Sequence, residues 1–291
     1  MSRGGNPRRR GPVPAGIRLA LLLLWSAAIA ACWLARSPFL AAASRPVAAA
    51  RFSRWWSLGA LKLLGVRVRT HGRVPDAPFF LVANHLGYLD IAVIASRVPC
   101  TFVSKSEVAG WPVFGTLASL AGTLYVDRKS KRDAGRVSRL IPDHFAAGGS
   151  LTLFPEGTST AGYEVAPFRS PLLEFPASAR FPVHCAALRY QAPKGFPPAA
   201  LTMCWWGEAA FLPHFLNLFR MPGMTADIAF APEPVSGSDR KSLARLLQES
   251  VGERLSYLAG RDPGTGSAFP GPSRDPGAGA AAGPRALEAM A

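Results

Sequence analysis

The chain has 291 residues, room for one sizeable core with appendages or at most two small domains, and 49% of it is apolar with a mean hydropathy of +0.15. Lys and Arg total 33 against 18 Asp and Glu, a net of +15. The excess is nearly all N-terminal, and it is interleaved with long apolar runs rather than gathered on a polar stripe, which favours attraction to an anionic membrane, at about 1 kcal/mol per well-placed cation, over nucleic-acid binding.

Residues 1–16 form a basic, Pro/Gly-rich lead expected to be disordered. Leu19 to Ala35 then runs 17 residues without a charge between Arg18 and Arg36. As a helix this is about 25 Å, short of a bilayer core of about 30 Å, so a snug span with snorkelling arginines and a half-embedded helix both fit. "IAAC", ending at Cys32, resembles a lipoprotein cleavage box. Arginines continue beyond it at Arg36, Arg45, Arg51 and Arg54, which disfavours export and favours a retained anchor with the following domain on the cytoplasmic face of the cell's inner membrane. From Pro38 to Leu64 apolar clusters alternate with isolated cations and carry Trp55 and Trp56. A second helix at the interface fits this pattern, with a helix packed on the globular domain as the alternative. Residues 17–64 are thus expected to anchor the chain.

Residues 66–260 read as the globular domain. Short β-rich runs ("FFLVA", "TFVS", "GTLYVD", "SLTLFP", "VHCAALRY", "TMCWW", "ADIAF") recur with helix-like stretches between some of them, notably Asp133 to Ala147. The expected class is α/β, with a mixed, largely buried sheet flanked by helices. Ser238 to Leu258 reads as an amphipathic closing helix capped by Ser238 or Asp239. Residues 261–291 are Pro/Gly/Ala-rich without a packable period and are expected to be disordered. Cys32, Cys100, Cys185 and Cys204 show no metal-ligand spacing, so neither a metal nor a disulfide framework is expected.

Four segments carry chemistry-bearing residues. "NHLGYLD" (84 to 90) follows an apolar run and spaces His85 five residues from Asp90. On a regular helix those positions lie about 140° apart, so they meet only if His85 sits in a turn before a helix that contains Asp90. "SLTLFPEGTST" (150 to 160) delivers Glu156 and Gly157 at a strand end, where open α/β sheets place ligand groups. Its "GTSTAG" misses the G-x-S-x-G nucleophile elbow by one residue, which sets a serine hydrolase aside. "GTLYVDRKSKRD" (122 to 133) ends a strand in cations, suited to phosphate or to a solvated loop. "WWGEAAFLPHFLNLF" (205 to 219) reads as buried core, or as a stretch lining an acyl chain or touching membrane. His71, His144, His184 and His214 read as structural.

"NHLGYLD", "GTLYVDR", "FPEGT" and "PVHCAALRY" occur in the order and approximate spacing of the lysophospholipid acyltransferase family, the group containing bacterial 1-acylglycerol-3-phosphate acyltransferase. The chain resembles that family over roughly Val66 to Pro234. The resemblance implies a glycerolipid acyltransferase-like fold with membrane-resting N-terminal helices. It implies His85 as general base and Asp90 as its orienting partner. Arg128 and Gly122, with Glu156, Gly157 and Thr158, would hold the acceptor, and Pro182 the acyl donor. The co-substrate is then acyl-CoA or acyl carrier protein with no further cofactor. The acceptor is a lysolipid, first 1-acyl-sn-glycerol-3-phosphate, alternatively lyso-ornithine lipid or another lysophospholipid. Esterase or lipase activity, and an inactive membrane-binding protein, are the alternatives of another kind. Where the family's third block usually ends Gly-Thr-Arg-Ser, this chain has Gly157, Thr158, Ser159 and Thr160. Arg128 or Arg169 supplies the missing charge, or the acceptor differs. Cys185 likewise stands where the fourth block usually has its second proline.

Overall fold

A computed structural model of the chain describes residues 13–127 and 130–261. The N-terminal lead before Val13, the tail after Arg261 and the predicted site residue Arg128 lie outside the described residues.

Two helices, α1 (Ala15–Arg36) and α2 (Arg45–Leu64), precede the sheet. The strands are β1 (Val66–His71), β2 (Phe80–Ala83), β3 (Thr101–Lys105), β4 (Leu124–Val126), β5 (Leu151–Leu153), β6 (Val183–Gln191) and β7 (Met224–Phe230). The later helices are α3 (Leu89–Arg97), α4 (Phe114–Leu120), α5 (Lys131–Ala146), α6 (Glu174–Ser178), α7 (Ala199–Thr202), α8 (Phe211–Leu218) and α9 (Arg240–Gly260). One sheet runs in the order β1-β7-β6-β2-β5-β3-β4. All its pairs are parallel except β6 with β7, so the sheet is mixed, as expected.

Alternation along the strands builds a core on each face. Phe80 and Val82 of β2 point to the side covered by α5 and α9, whereas Leu81 and Ala83 join Leu61 and Leu64 of α2 and Val93 of α3 on the other. β6 divides likewise, with Val183, Cys185 and Ala187 on one side and Ala186, Leu188 and Tyr190 on the other. The closing helix is capped as predicted, the Asp239 carboxylate accepting from Ser242 N at 2.8 Å. One strand expectation needs revision, and one strand is additional to those expected. "TMCWW" is not a strand: it runs on from the last residue of α7 without regular structure, with Trp205 N donating to Leu86 O at 2.8 Å across the end of the sheet. "VRVRTH" is one, the edge strand β1, whose exposed arginines deter pairing with other chains.

Ala15–Phe39 is long and apolar enough to cross a membrane and is mostly exposed; α1 itself spans about 33 Å. α1 is packed along α2. Trp56 Nε1 donates to Ser26 Oγ at 2.9 Å and Trp25 Nε1 to Trp56 O at 3.1 Å, and Gly59 admits the Trp25 indole, which a Cβ there would meet at 2.3 Å. Arg18 is buried at one end of the pair. Its guanidinium donates to Leu63 O (2.8 Å) and Leu64 O in the last turn of α2, and to Phe219 O (2.7 Å) and Met221 O (2.9 Å) just after α8. One cation thus satisfies carbonyls at the C-terminal ends of two helices, where the helix dipoles favour positive charge. Arg18→Ala is expected to destabilise the fold by about 3 kcal/mol, measured by chemical denaturation in detergent. Lysine should restore only part, because an ammonium lacks the fork that reaches all four oxygens.

Candidate active site

The site is assembled at the C-terminal ends of neighbouring parallel strands, where an open α/β sheet places ligands. β2 pairs with β5 in the register Phe80↔Leu151 to Val82↔Leu153. Extended past both strand ends, that register sets His85 opposite Glu156. There His85 N donates to Glu156 Oε1 at 2.6 Å. On the other side of β2 the Asn84 amide takes over the ladder to β6. Its Nδ2 donates to Leu188 O at 3.0 Å and its Oδ1 accepts from Leu188 N at 2.7 Å. Asn84 thereby ends the strand without leaving backbone groups orphaned, and the chain turns out at His85.

His85 lies in the turn before α3 and Asp90 in the first turn of α3, so the geometric condition for their meeting is satisfied. His85 Nδ1 lies 2.7 Å from Asp90 Oδ2. The same oxygen accepts from Leu86 N at 2.6 Å and Gly87 N at 3.0 Å, and Tyr190 OH donates to Asp90 Oδ1. Burial and the Asp90 charge hold the Tyr190 phenol well above its ordinary range, so it stays a donor. Asp90 is fully buried, and four donors converge on it. Gly87 has φ of +150°, and a Cβ there would come 3.0 Å from Trp205 N, so the turn requires glycine. The His85 ring stacks on Phe154 at 4.2 Å between centroids and 16° between planes. With Nδ1 bound to the carboxylate, the Nε2 lone pair is left for a substrate proton.

Glu156 is buried and holds two backbone amides, His85 N on Oε1 and Ala166 N (3.0 Å) on Oε2. Burial pushes its carboxyl up to about 7; the two N–H groups pull the other way, and the nearby Asp90 charge adds to the rise. Between the ordinary value of 4.5 and about 7 the folded chain therefore binds more protons than the unfolded one. Stability falls as pH rises through that window and levels above it. Glu156→Gln is expected to flatten this fall, changing the difference between pH 5 and pH 8 by up to about 3 kcal/mol relative to the parent chain, as read from denaturation at the two pH values.

His85 opens on a cavity of about 340 Å³. Its walls are apolar and come from α1 (Leu22), α2 (Phe52, Trp56), α4 (Leu117) and α8 (Phe211, Phe215). Thr158, Ser159 and Lys105 line it too, and Lys105 Nζ sits 5.8 Å from the Trp111 ring centre. Tyr88 OH lies 2.7 Å from His214 Nδ1 within the aromatic wall. Burial lowers His214 to about 4 and raises the Tyr88 phenol, so the pair is neutral.

The structure thus brings together His85, Asp90, Glu156, Gly157 and Thr158. Arg169 lies over Gly157, where an added Cβ would come 3.0 Å from Arg169 Nε. Gly122 and Pro182 lie outside this cluster. Gly122 precedes β4 beside Ala49 of α2, between Ala121 and Thr123, which line the same cavity, and Pro182 precedes β6 at the opposite end of the parallel strands. Asn84, Lys105, Phe154 and Tyr190 were not singled out from the sequence. Tyr190 ends the quoted run "VHCAALRY", and a buried phenol on a strand leading to the site was the available signal.

A family model described as Acyltransferase matches residues 65–189. The lyso-ornithine lipid O-acyltransferase of Rhizobium meliloti (strain 1021) is 33% identical over 234 residues, which cover 76% of this chain and 80% of that protein. The 1-acyl-sn-glycerol-3-phosphate acyltransferase of Neisseria gonorrhoeae is 27% identical over 195 residues, covering 66% and 76%. The crystal structure of the 1-acyl-sn-glycerophosphate acyltransferase from Thermotoga maritima has the same fold, with a TM-score of 0.60 at 20% identity over 86% of this chain and 99% of that one.

Proposed function

The chain belongs to the acyltransferase family, and from that premise we propose that it moves a fatty acyl group from a thioester to the free hydroxyl of a lysolipid at a membrane. The observation that carries this reading is the His85–Asp90 pair, 2.7 Å apart and opening on an apolar cavity. A thioester is already activated, so the alcohol attacks its carbonyl carbon directly. His85 Nε2 takes the hydroxyl proton as the new C–O bond forms, while Asp90 holds the Nδ1–H tautomer and stabilises the imidazolium. As the C–S bond breaks, the proton returns to the departing thiolate. The donor is acyl-CoA or acyl carrier protein, with no other cofactor. The apolar α1 and the surrounding arginines hold the domain on the cytoplasmic face of the inner membrane.

1-Acyl-sn-glycerol-3-phosphate is the first acceptor reading. Lys105 at the cavity and Arg169 over Gly157 supply the positive charge its phosphate requires. Ser159 favours a second reading, lyso-ornithine lipid, because it lines the cavity without a charge, and the Rhizobium relative of that name is more similar than the Neisseria one. Purified protein in mixed micelles, given acyl-CoA and a panel of lysolipids, should yield diacylated product from one of the two. Release of free fatty acid without transfer would refute the proposal.

A further inference from the structure

α8 has two apolar faces. Phe211 and Phe215 point into the catalytic cavity, whereas Leu212 and Leu216, also one turn apart, are 60% and 37% exposed. The same division occurs in two neighbouring segments. α1 gives Leu22 to the cavity while Leu24 is 66% exposed. At the start of α4, Trp111 and Phe114 line the cavity while Val113 between them is exposed. These segments are contiguous. Trp111 and Phe114 pack on Phe211 at 4.8 and 5.4 Å, and Arg18 of α1 binds the carbonyls of Phe219 and Met221 just after α8. Val113 is held at φ of +62°, a costly conformation for a β-branched residue, and it keeps an apolar side chain at the surface. Three segments that line the cavity therefore also carry exposed apolar groups.

We infer that α8 is a membrane-contact element in its own right: Leu212 and Leu216 enter the bilayer beside α1, and the lysolipid chain reaches the cavity laterally along these segments. The bilayer is the occupant because α1, tied to the end of α8 by Arg18, is long and apolar enough to cross one and is itself mostly exposed. The lateral route rests on the lysolipid reading; the contact does not.

The double variant Leu212→Gln/Leu216→Gln tests both. Its acyl transfer would be measured with a long-chain lysolipid in phosphatidylglycerol/phosphatidylcholine vesicles and with a short-chain, monomeric lysolipid, and sedimentation with the same vesicles would measure binding. The expected result is roughly a tenfold rise in KM for the vesicle-borne acceptor and weaker sedimentation, with kcat and KM for the monomeric acceptor unchanged. Leu212→Phe/Leu216→Phe should behave like the parent. An unchanged vesicle KM, or an equal loss with both acceptors, would overturn the lateral route, and unchanged sedimentation would overturn the contact. If the parent chain acylates no lysolipid in either form, the functional reading fails while sedimentation still decides the contact.

Discussion

Replacing His85 by alanine is expected to lower the rate of acyl transfer by a factor on the order of 10² to 10⁴, the usual yield of a positioned general base. The loss should fall on kcat, because the cavity that would bind the acyl chain is built from α1, α2, α4 and α8 and keeps its shape. Stability should change little in comparison. The backbone N of residue 85 still donates to Glu156 and its carbonyl still accepts from Thr160 N, so the turn survives. The stacking on Phe154 is lost, and that costs about 1 kcal/mol. Steady-state kinetics with acyl-CoA and the preferred lysolipid, beside a denaturation curve, separate these effects. Full activity in the variant would remove His85 from the chemistry.

Legibility from the sequence followed the range of each interaction. His85 and Asp90 are five residues apart, so one local question, whether a turn precedes a helix, decided their meeting. Glu156 was visible as a carboxylate at a strand end, but its place opposite His85 depends on β2 and β5 being neighbours in register. Tyr190 lies 100 residues from Asp90, and only the order β6-β2 delivers its hydroxyl there. No local pattern carries that. Strand direction explains the dispersal of the predicted set. Gly122 and Pro182 belong to blocks that read as single units, yet each precedes its strand: Pro182 so lies at the end away from His85, while Gly122 sits between two residues of the cavity wall, Ala121 and Thr123. α2 was split between an interfacial and a packed helix, and it has both faces: Trp55 is exposed, while Ala60, Leu61 and Leu64 join the core. The same holds for the 205 to 219 run, whose inner aromatics line the cavity as its outer leucines face out.

Asp90→Asn should impair the enzyme about as severely as loss of the base, while leaving His85 in place. Four donors converge on the carboxylate: His85 Nδ1–H, Leu86 N, Gly87 N and Tyr190 OH. A carboxylate has lone pairs for all of them, but an asparagine has one acceptor oxygen, and its NH₂ must face donors whichever way it is turned. If the oxygen stays with Leu86 N and Gly87 N, the amide confronts Tyr190, whose hydroxyl can rotate to accept. His85 then competes for the same oxygen against two backbone donors. If the oxygen turns to Tyr190, the NH₂ faces His85, and the imidazole answers by moving its proton to Nε2. In that tautomer the nitrogen left for the substrate is a donor, so it cannot take the hydroxyl proton. In the serine-protease triad the corresponding change costs about 10⁴ in kcat, and a loss of 10³ to 10⁴ is the expectation here. The crowded donors add a stability cost of about 1–3 kcal/mol. Tyr190→Phe removes one donor without disturbing the tautomer and should cost far less in rate. Nitrogen-15 spectra of the His85 ring distinguish the two cases, with Nδ1–H in the parent and Tyr190→Phe chains and Nε2–H in Asp90→Asn. An Asp90→Asn chain that kept both its rate and its Nδ1–H signal would show that orientation comes instead from the stacking on Phe154 and the hold of Glu156 on the His85 backbone.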